Sequence, residues 1–172
     1  MRKVIVAALA ATLALALAIP AFARAPQAEG AKPGDSTIVE IVVSNPGGNF
    51  DVLLAAVVAA DPGVLSALAD NEQYTVFAPT DQAFISTLGV ASETEAIAAV
   101  QTLSQGALTD ILLYHVIDGR RTGTSVLAAP AYETLLGQTL TRAELVAAGV
   151  QAANISASNG VVHVLTAGVL IP

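Results

Sequence analysis

Two imidazoles, His115 and His163, stand 48 residues apart in a chain of 172 residues that has no Cys. A zinc site built on them would need two carboxylates from elsewhere, with no H-E-x-x-H or paired-Cys spacing to bring the ligands together. Serine hydrolase chemistry lacks its G-x-S-x-G elbow, and neither His has a Ser and an Asp nearby in a recognisable order. No Gly-rich loop followed by Lys is present to cradle phosphate. The expectation is a protein without catalytic, metal or cofactor-binding residues, and not an enzyme.

Charge narrows the field further. The chain carries 14 acidic and 7 basic residues, a net charge of -7 and a pI near 4.5. Arg2-Lys3, an apolar run from Val4 to Ile19, Pro20 and then Ala21-Phe22-Ala23 follow the order of an export signal, with residues 1–23 removed on export. That run is shorter than the roughly 18 apolar residues a membrane-spanning helix needs, so no membrane span is expected in the mature form. Cleavage after Ala23 leaves 5 basic and 14 acidic residues, 5 - 14 = -9. Such a surface repels phosphate backbones, which excludes nucleic-acid binding. The expected location is outside the cytoplasm: periplasmic, cell-surface or extracellular.

Residues 24–36, rich in Ala, Pro, Gly and charge, read as a flexible leader, and one domain is expected over 37–172. Thr37 to Val43 is an apolar stretch. Apolar residues at helical spacing predict a helix from Asp51 to Ala60, with a short one over Val64 to Ala69. Gln73 to Ala78 is β-branched and aromatic and predicts a strand closed by Pro79. Thr80 caps a helix that stops at Gly89, Ser92 to Glu95 forms a capping box for a helix to Gln101, and another helix spans Gly106 to Leu113. Tyr114 to Ile117 reads as a strand leaving by Asp118-Gly119, with Arg120-Arg121 on the solvated side of the turn. Short strands are expected over Tyr132 to Leu136 and Gln138 to Leu140. Thr141 to Glu144 is a second capping box, for a helix from Arg142 to Ala148 that ends at Gly149. Val150 to Ala157 and Val161 to Leu165 flank Ser158-Asn159-Gly160, a hairpin signal. Val169 to Ile171 closes the chain as a last strand. Helices crowd the first two thirds and strands the last third, the mark of an α+β fold.

Three segments resemble hallmarks of fasciclin (FAS1) domains: Tyr74-Thr75-Val76-Phe77-Ala78-Pro79-Thr80-Asp81-Gln82-Ala83-Phe84, then Leu112-Leu113-Tyr114-His115-Val116, then Asn159-Gly160-Val161-Val162-His163-Val164. The resemblance covers about Thr37 to Pro172. It implies a β-wedge of about seven short strands with several helices packed around it, exported and without catalysis, whose partners are proteins or matrix. In animal relatives the Tyr-His segment is associated with receptor binding, which maps to Tyr114 and His115 as candidate partner contacts. Some algal members carry carotenoids. Two departures stand out. Thr141 to Gly149 reads as a capped helix where relatives place a strand pair, and the last hallmark lacks its Asp and carries an extra residue near Gly168, which a bulge in the strand would absorb.

Each hallmark residue also has a folding task. Val76 and Phe77 are core candidates, Pro79 holds Ala78 extended, and Thr80 with Asp81 starts a helix that carries Phe84. His115 is expected to be buried and hydrogen-bonded, with Tyr114 at the surface, since neighbours in a strand point to opposite faces. Asn154-Ile155-Ser156 fits the glycosylation pattern but lies in an expected strand and is discounted. The expected function is an exported binding module that adheres to a cell-surface or matrix protein or polysaccharide. The alternative is a carrier of a hydrophobic ligand such as a lipid or carotenoid.

Overall fold

The computed structural model describes residues 34–44, 48–69 and 72–172. The expected export signal (1–23), most of the expected leader and residues 45–47 lie outside the described residues. Eight helices and six strands make up the described fold, an α+β arrangement as expected. Helices α1 (Ile38–Ser44), α2 (Asp51–Ala59) and α3 (Pro62–Ala69) precede strand β1 (Tyr74–Pro79), and α4 (Asp81–Leu88), α5 (Glu93–Thr102) and α6 (Gln105–Tyr114) lead to β2 (Val116–Asp118). Then come α7 (Gly123–Ala128), β3 (Ala131–Glu133), β4 (Thr139–Thr141), α8 (Arg142–Ala147), β5 (Val150–Ala157) and β6 (Gly160–Leu165).

The main sheet has the order β2-β1-β6-β5, with β1 and β6 parallel at its centre and antiparallel partners outside them. β3 and β4 form a separate hairpin, tied to β2 by the Ile117–Thr134 bridge. Alternation along β1 sends Tyr74, Val76 and Ala78 to one face and Phe77 to the other. The first face joins the core under α1, α2 and α3 with Phe84, Val100 and Leu112; the second joins Tyr114, Ile117, Val126, Leu140 and Leu145. A central sheet covered on both faces explains why β1 and β6 are almost continuously apolar.

Local signals behave as read where a side chain serves its own helix. Thr80 accepts from the Ala83 N–H, and α4 ends at Gly89 with φ 66°. At α8 both halves of the capping box form: the Glu144 N–H donates to the Thr141 hydroxyl, and the Thr141 N–H donates to the Glu144 carboxylate. At α5 the box is displaced by one residue, since Glu95 takes the Ala91 N–H in place of that of Ser92.

The apolar stretch from Thr37 forms helix α1, opened by Thr37 and Glu40 bonding each other's amides. Four expectations are corrected. His115 follows α6 as its C-cap and is not in a strand, and Tyr114 is the last residue of that helix. Val169 to Ile171 is not a strand, because the Leu170 N–H turns inward to His115. The bulge lies in β5, between Gln151 and Ile155 where Asn154 has φ 48°, and not near Gly168. The 166–168 stretch instead folds back on the end of α8, the Ala167 and Gly168 amides both donating to the Ala148 carbonyl. Finally, Arg120 is half-buried: it bonds Gln73 just before β1, and the Ala157 carbonyl and Ser156 hydroxyl at the end of β5.

Asn159 fastens the sheet to the helical layer. Its side-chain oxygen accepts the Ile38 N–H at 2.9 Å and its amide donates to the Leu68 carbonyl at 2.6 Å, so one buried side chain holds the start of α1, the end of α3 and the β5–β6 turn. Replacing Asn159 by Ala strands a buried N–H and a buried C=O, and we expect a loss of about 2–6 kcal/mol at roughly 1–3 kcal/mol per orphaned group. A urea midpoint unchanged from the parent would refute this role.

Candidate functional site

The Tyr-His segment is built by α6. Leu108 and Leu112 recur at four-residue spacing and are buried, which turns the end of the helix inward and carries Tyr114 and His115 with it. His115 then uses both ring nitrogens on main chain. Its Nδ1–H donates to the Ile111 carbonyl at 2.7 Å, and its Nε2 accepts the Leu170 N–H at 3.1 Å, which fixes the neutral Nδ1–H tautomer. Burial pushes its pKa down to about 4, against a smaller upward pull from the Ile111 hydrogen bond.

Tyr114, expected at the surface, is 3% exposed. Its hydroxyl faces the Thr139 carbonyl at 3.3 Å and the Glu144 carboxylate at 3.2 Å. Burial first, then the neighbouring carboxylate, raises the phenol's pKa. Glu144 is held below the ordinary carboxylate range by the hydrogen bonds from Thr141 and then from Tyr114. Together these residues floor a shallow depression of about 260 Å³ between α8 and the 168–171 stretch.

The other hallmark residues meet on the central strands. Thr75 is fully buried; its hydroxyl donates to the Gly119 carbonyl at 2.7 Å and accepts the Arg121 N–H at 2.9 Å. Phe77 pairs in register with His163, their rings 6.0 Å apart. The His163 Nε2–H donates to the Arg121 carbonyl at 3.0 Å, and burial lowers its pKa. Val76, Ala78 and Phe84 are buried in the core, and Pro79 ends β1 opposite Leu165. Asp81 accepts the Val52 N–H at 2.8 Å, capping α2 from a different helix. Gly160 lies in β6 and not in the turn, placed where a Cβ would overlap the Tyr74 carbonyl oxygen. His115 and His163 therefore do not converge: each serves the main chain of its own surroundings.

The only trio of potential metal ligands among the described residues is Asp51, Asp81 and Glu93. Asp51 and Glu93 were not singled out by sequence reasoning, because the three acids come from three separate helix starts. Two apolar clefts of about 40 and 50 Å³ flank His115, one under α1 to α3 and the other between α4, α6 and the C-terminal stretch.

A mixed central sheet under a helical layer, with its polar hallmark side chains spent on main-chain groups, defines a rigid α+β wedge. The Fasciclin domain family matches residues 48–172, and the chain belongs to that family. It is similar to the Synechocystis protein sll1483, at 35% identity over 142 residues that cover 79% of this chain and 74% of that one. It is also similar to the Synechocystis protein sll1735, at 33% identity over 140 residues, 74% of this chain and 92% of the relative. Fasciclin domains are generally non-enzymatic modules of adhesion type, typically exported or extracellular. No single helix among the described residues is long and apolar enough to cross a membrane.

Proposed function

We propose that this protein is an exported, non-catalytic module that adheres at a cell surface or matrix through protein or polysaccharide contacts. The observation that carries the reading is the commitment of both imidazoles, His115 and His163, to main-chain partners deep in the fold. Both His115 nitrogens and the His163 Nε2 bond main chain, and the His163 Nδ1 is buried, so none is presented to a substrate. A partner at the Tyr-His segment would meet the depression over Tyr114, while His115 acts beneath it by holding the Leu170 amide.

The clefts beside His115 favour adhesion over carriage. At about 40 and 50 Å³ they fall well below the roughly 300–1,000 Å³ of small-molecule pockets, so a lipid or polyene would have to open the core. Surfaces coated with the purified chain should retain cells, and soluble chain should compete for that attachment. Native mass spectrometry should show no bound lipid or polyene. A visible absorbance band with a co-purifying polyene, or a substrate turned over by the folded protein, would reject the reading.

A further inference from the structure

We infer that the carboxylates of Asp51, Asp81 and Glu93 form a calcium site where the first turns of α2, α4 and α5 meet. Each offers one oxygen, and the three oxygens lie within 4.8 Å of one another. Calcium binds six to eight oxygens at roughly 2.3–2.6 Å in flexible geometry, so one ion can take three carboxylate oxygens gathered this way, whereas magnesium at about 2.0–2.1 Å demands a near-ideal octahedron.

The pointer to a ligand is Asp81. The residue is 7% exposed, and while one carboxylate oxygen takes the Val52 N–H, the other is buried with no hydrogen-bond partner among the described residues. A buried carboxylate oxygen without a partner is costly, and two further carboxylates beside it add repulsion. The described residues carry three cationic side chains, Arg120, Arg121 and Arg142, none of them on α2, α4 or α5. The helix starts contribute partial positive charge, which helps the acids gather. That field leaves the second Asp81 oxygen without a bond. A divalent cation would give that oxygen a partner and offset the gathered carboxylates in one step.

The burial gradient gives the ion a route. Glu93 is exposed, Asp51 half-buried and Asp81 buried, so the site opens at Glu93. Three protein ligands leave the remaining positions of a six- to eight-coordinate ion to water, which places affinity near the weak range of extracellular modules, on the order of 10⁻⁴–10⁻³ M. Bound there, calcium would join the starts of three helices in the layer that covers the sheet.

The test uses the full chain, stripped with EDTA and dialysed, in thermal melts and calorimetric titration with CaCl₂, MgCl₂ and NaCl at matched ionic strength. One calcium per chain is expected. At ten times its Kd, calcium should raise the folded-to-unfolded ratio about 11-fold, seen as a saturable rise in Tm that MgCl₂ does not match. Asp81→Asn retains an oxygen for the Val52 amide, and Glu93→Gln alters only an exposed side chain. Both should weaken calcium binding at least tenfold, and Glu93→Gln keeps the test open if Asp81→Asn folds poorly. Equal melts in CaCl₂ and matched NaCl, equal responses to magnesium, or a calcium response that survives Glu93→Gln would each overturn the site.

Discussion

Gly160→Ala should cost about 4 kcal/mol or more, a loss that belongs to the severe tail of single substitutions. Gly160 opens β6, paired in parallel with Tyr74 and antiparallel with Ala157. A Cβ there would overlap the Tyr74 carbonyl oxygen and stand 2.7 Å from the Ile38 Cδ1. The Ile38 side chain can turn aside. The carbonyl belongs to β1, whose Tyr74 N–H is bonded to the Asn159 carbonyl at 3.1 Å, so moving it disturbs the central strand pairing. A domain with total stability of roughly 5–15 kcal/mol has little left after such a loss. Gly137→Ala is the matched control: φ is 80° there but a Cβ meets nothing, so only left-handed backbone strain of about 1–2 kcal/mol is expected. Urea unfolding of both variants reads the difference. Equal midpoints would show that the β1–β6 contact yields more easily than its geometry requires.

Gly160 also marks where sequence reading succeeds and where it stops. Asn-Gly between apolar runs pointed to the hairpin, and the hairpin forms, yet the turn is Ser158-Asn159 and the Gly serves a neighbouring strand. Signals confined to four residues were legible: the Thr141–Glu144 box and the Thr80 cap were read from spacing alone. The same pattern at Thr37 and Glu40 is present too, but the short apolar run that follows it has no period that separates helix from strand. His115 misled for a related reason. β-branched Val116 and Ile117 suggest a strand beginning earlier, but Ile111 is one helical turn behind His115 and its carbonyl takes the ring proton, so the helix runs on to Tyr114. Asn159 bonds residues 121 and 91 positions away, and the trio of Asp51, Asp81 and Glu93 is assembled only when three helices dock. Contacts of that range leave no periodicity to detect.

Acidification should destabilise the fold between about pH 6.5 and pH 4, above the range in which most carboxylates titrate. His115 is neutral in the folded state down to about pH 4, whereas in the unfolded chain it takes a proton near its ordinary value of 6.5. Through that window the unfolded state binds more protons, so stability is fully present above 6.5, falls as pH drops toward 4, and levels off below for this group. At 1.36 kcal/mol per pH unit the interval amounts to about 3 kcal/mol. His163, also lowered by burial, adds in the same direction. The geometry names the contact that fails. A proton on the His115 Nε2 turns the acceptor of the Leu170 N–H into a second donor, and the two then repel. The 168–172 stretch should therefore loosen before the sheet does, with the Leu170 amide exchanging faster at pH 5 than at pH 7 relative to amides of β1 and β6. His115→Gln lowers stability at pH 7 by about 1–3 kcal/mol through imperfect pairing of buried groups, but it carries no titrating proton. Its urea midpoints should vary much less than the parent's from pH 7 to pH 4.5. Parallel curves for the two proteins would assign the acid sensitivity to other groups and leave the Leu170 contact without a role in it.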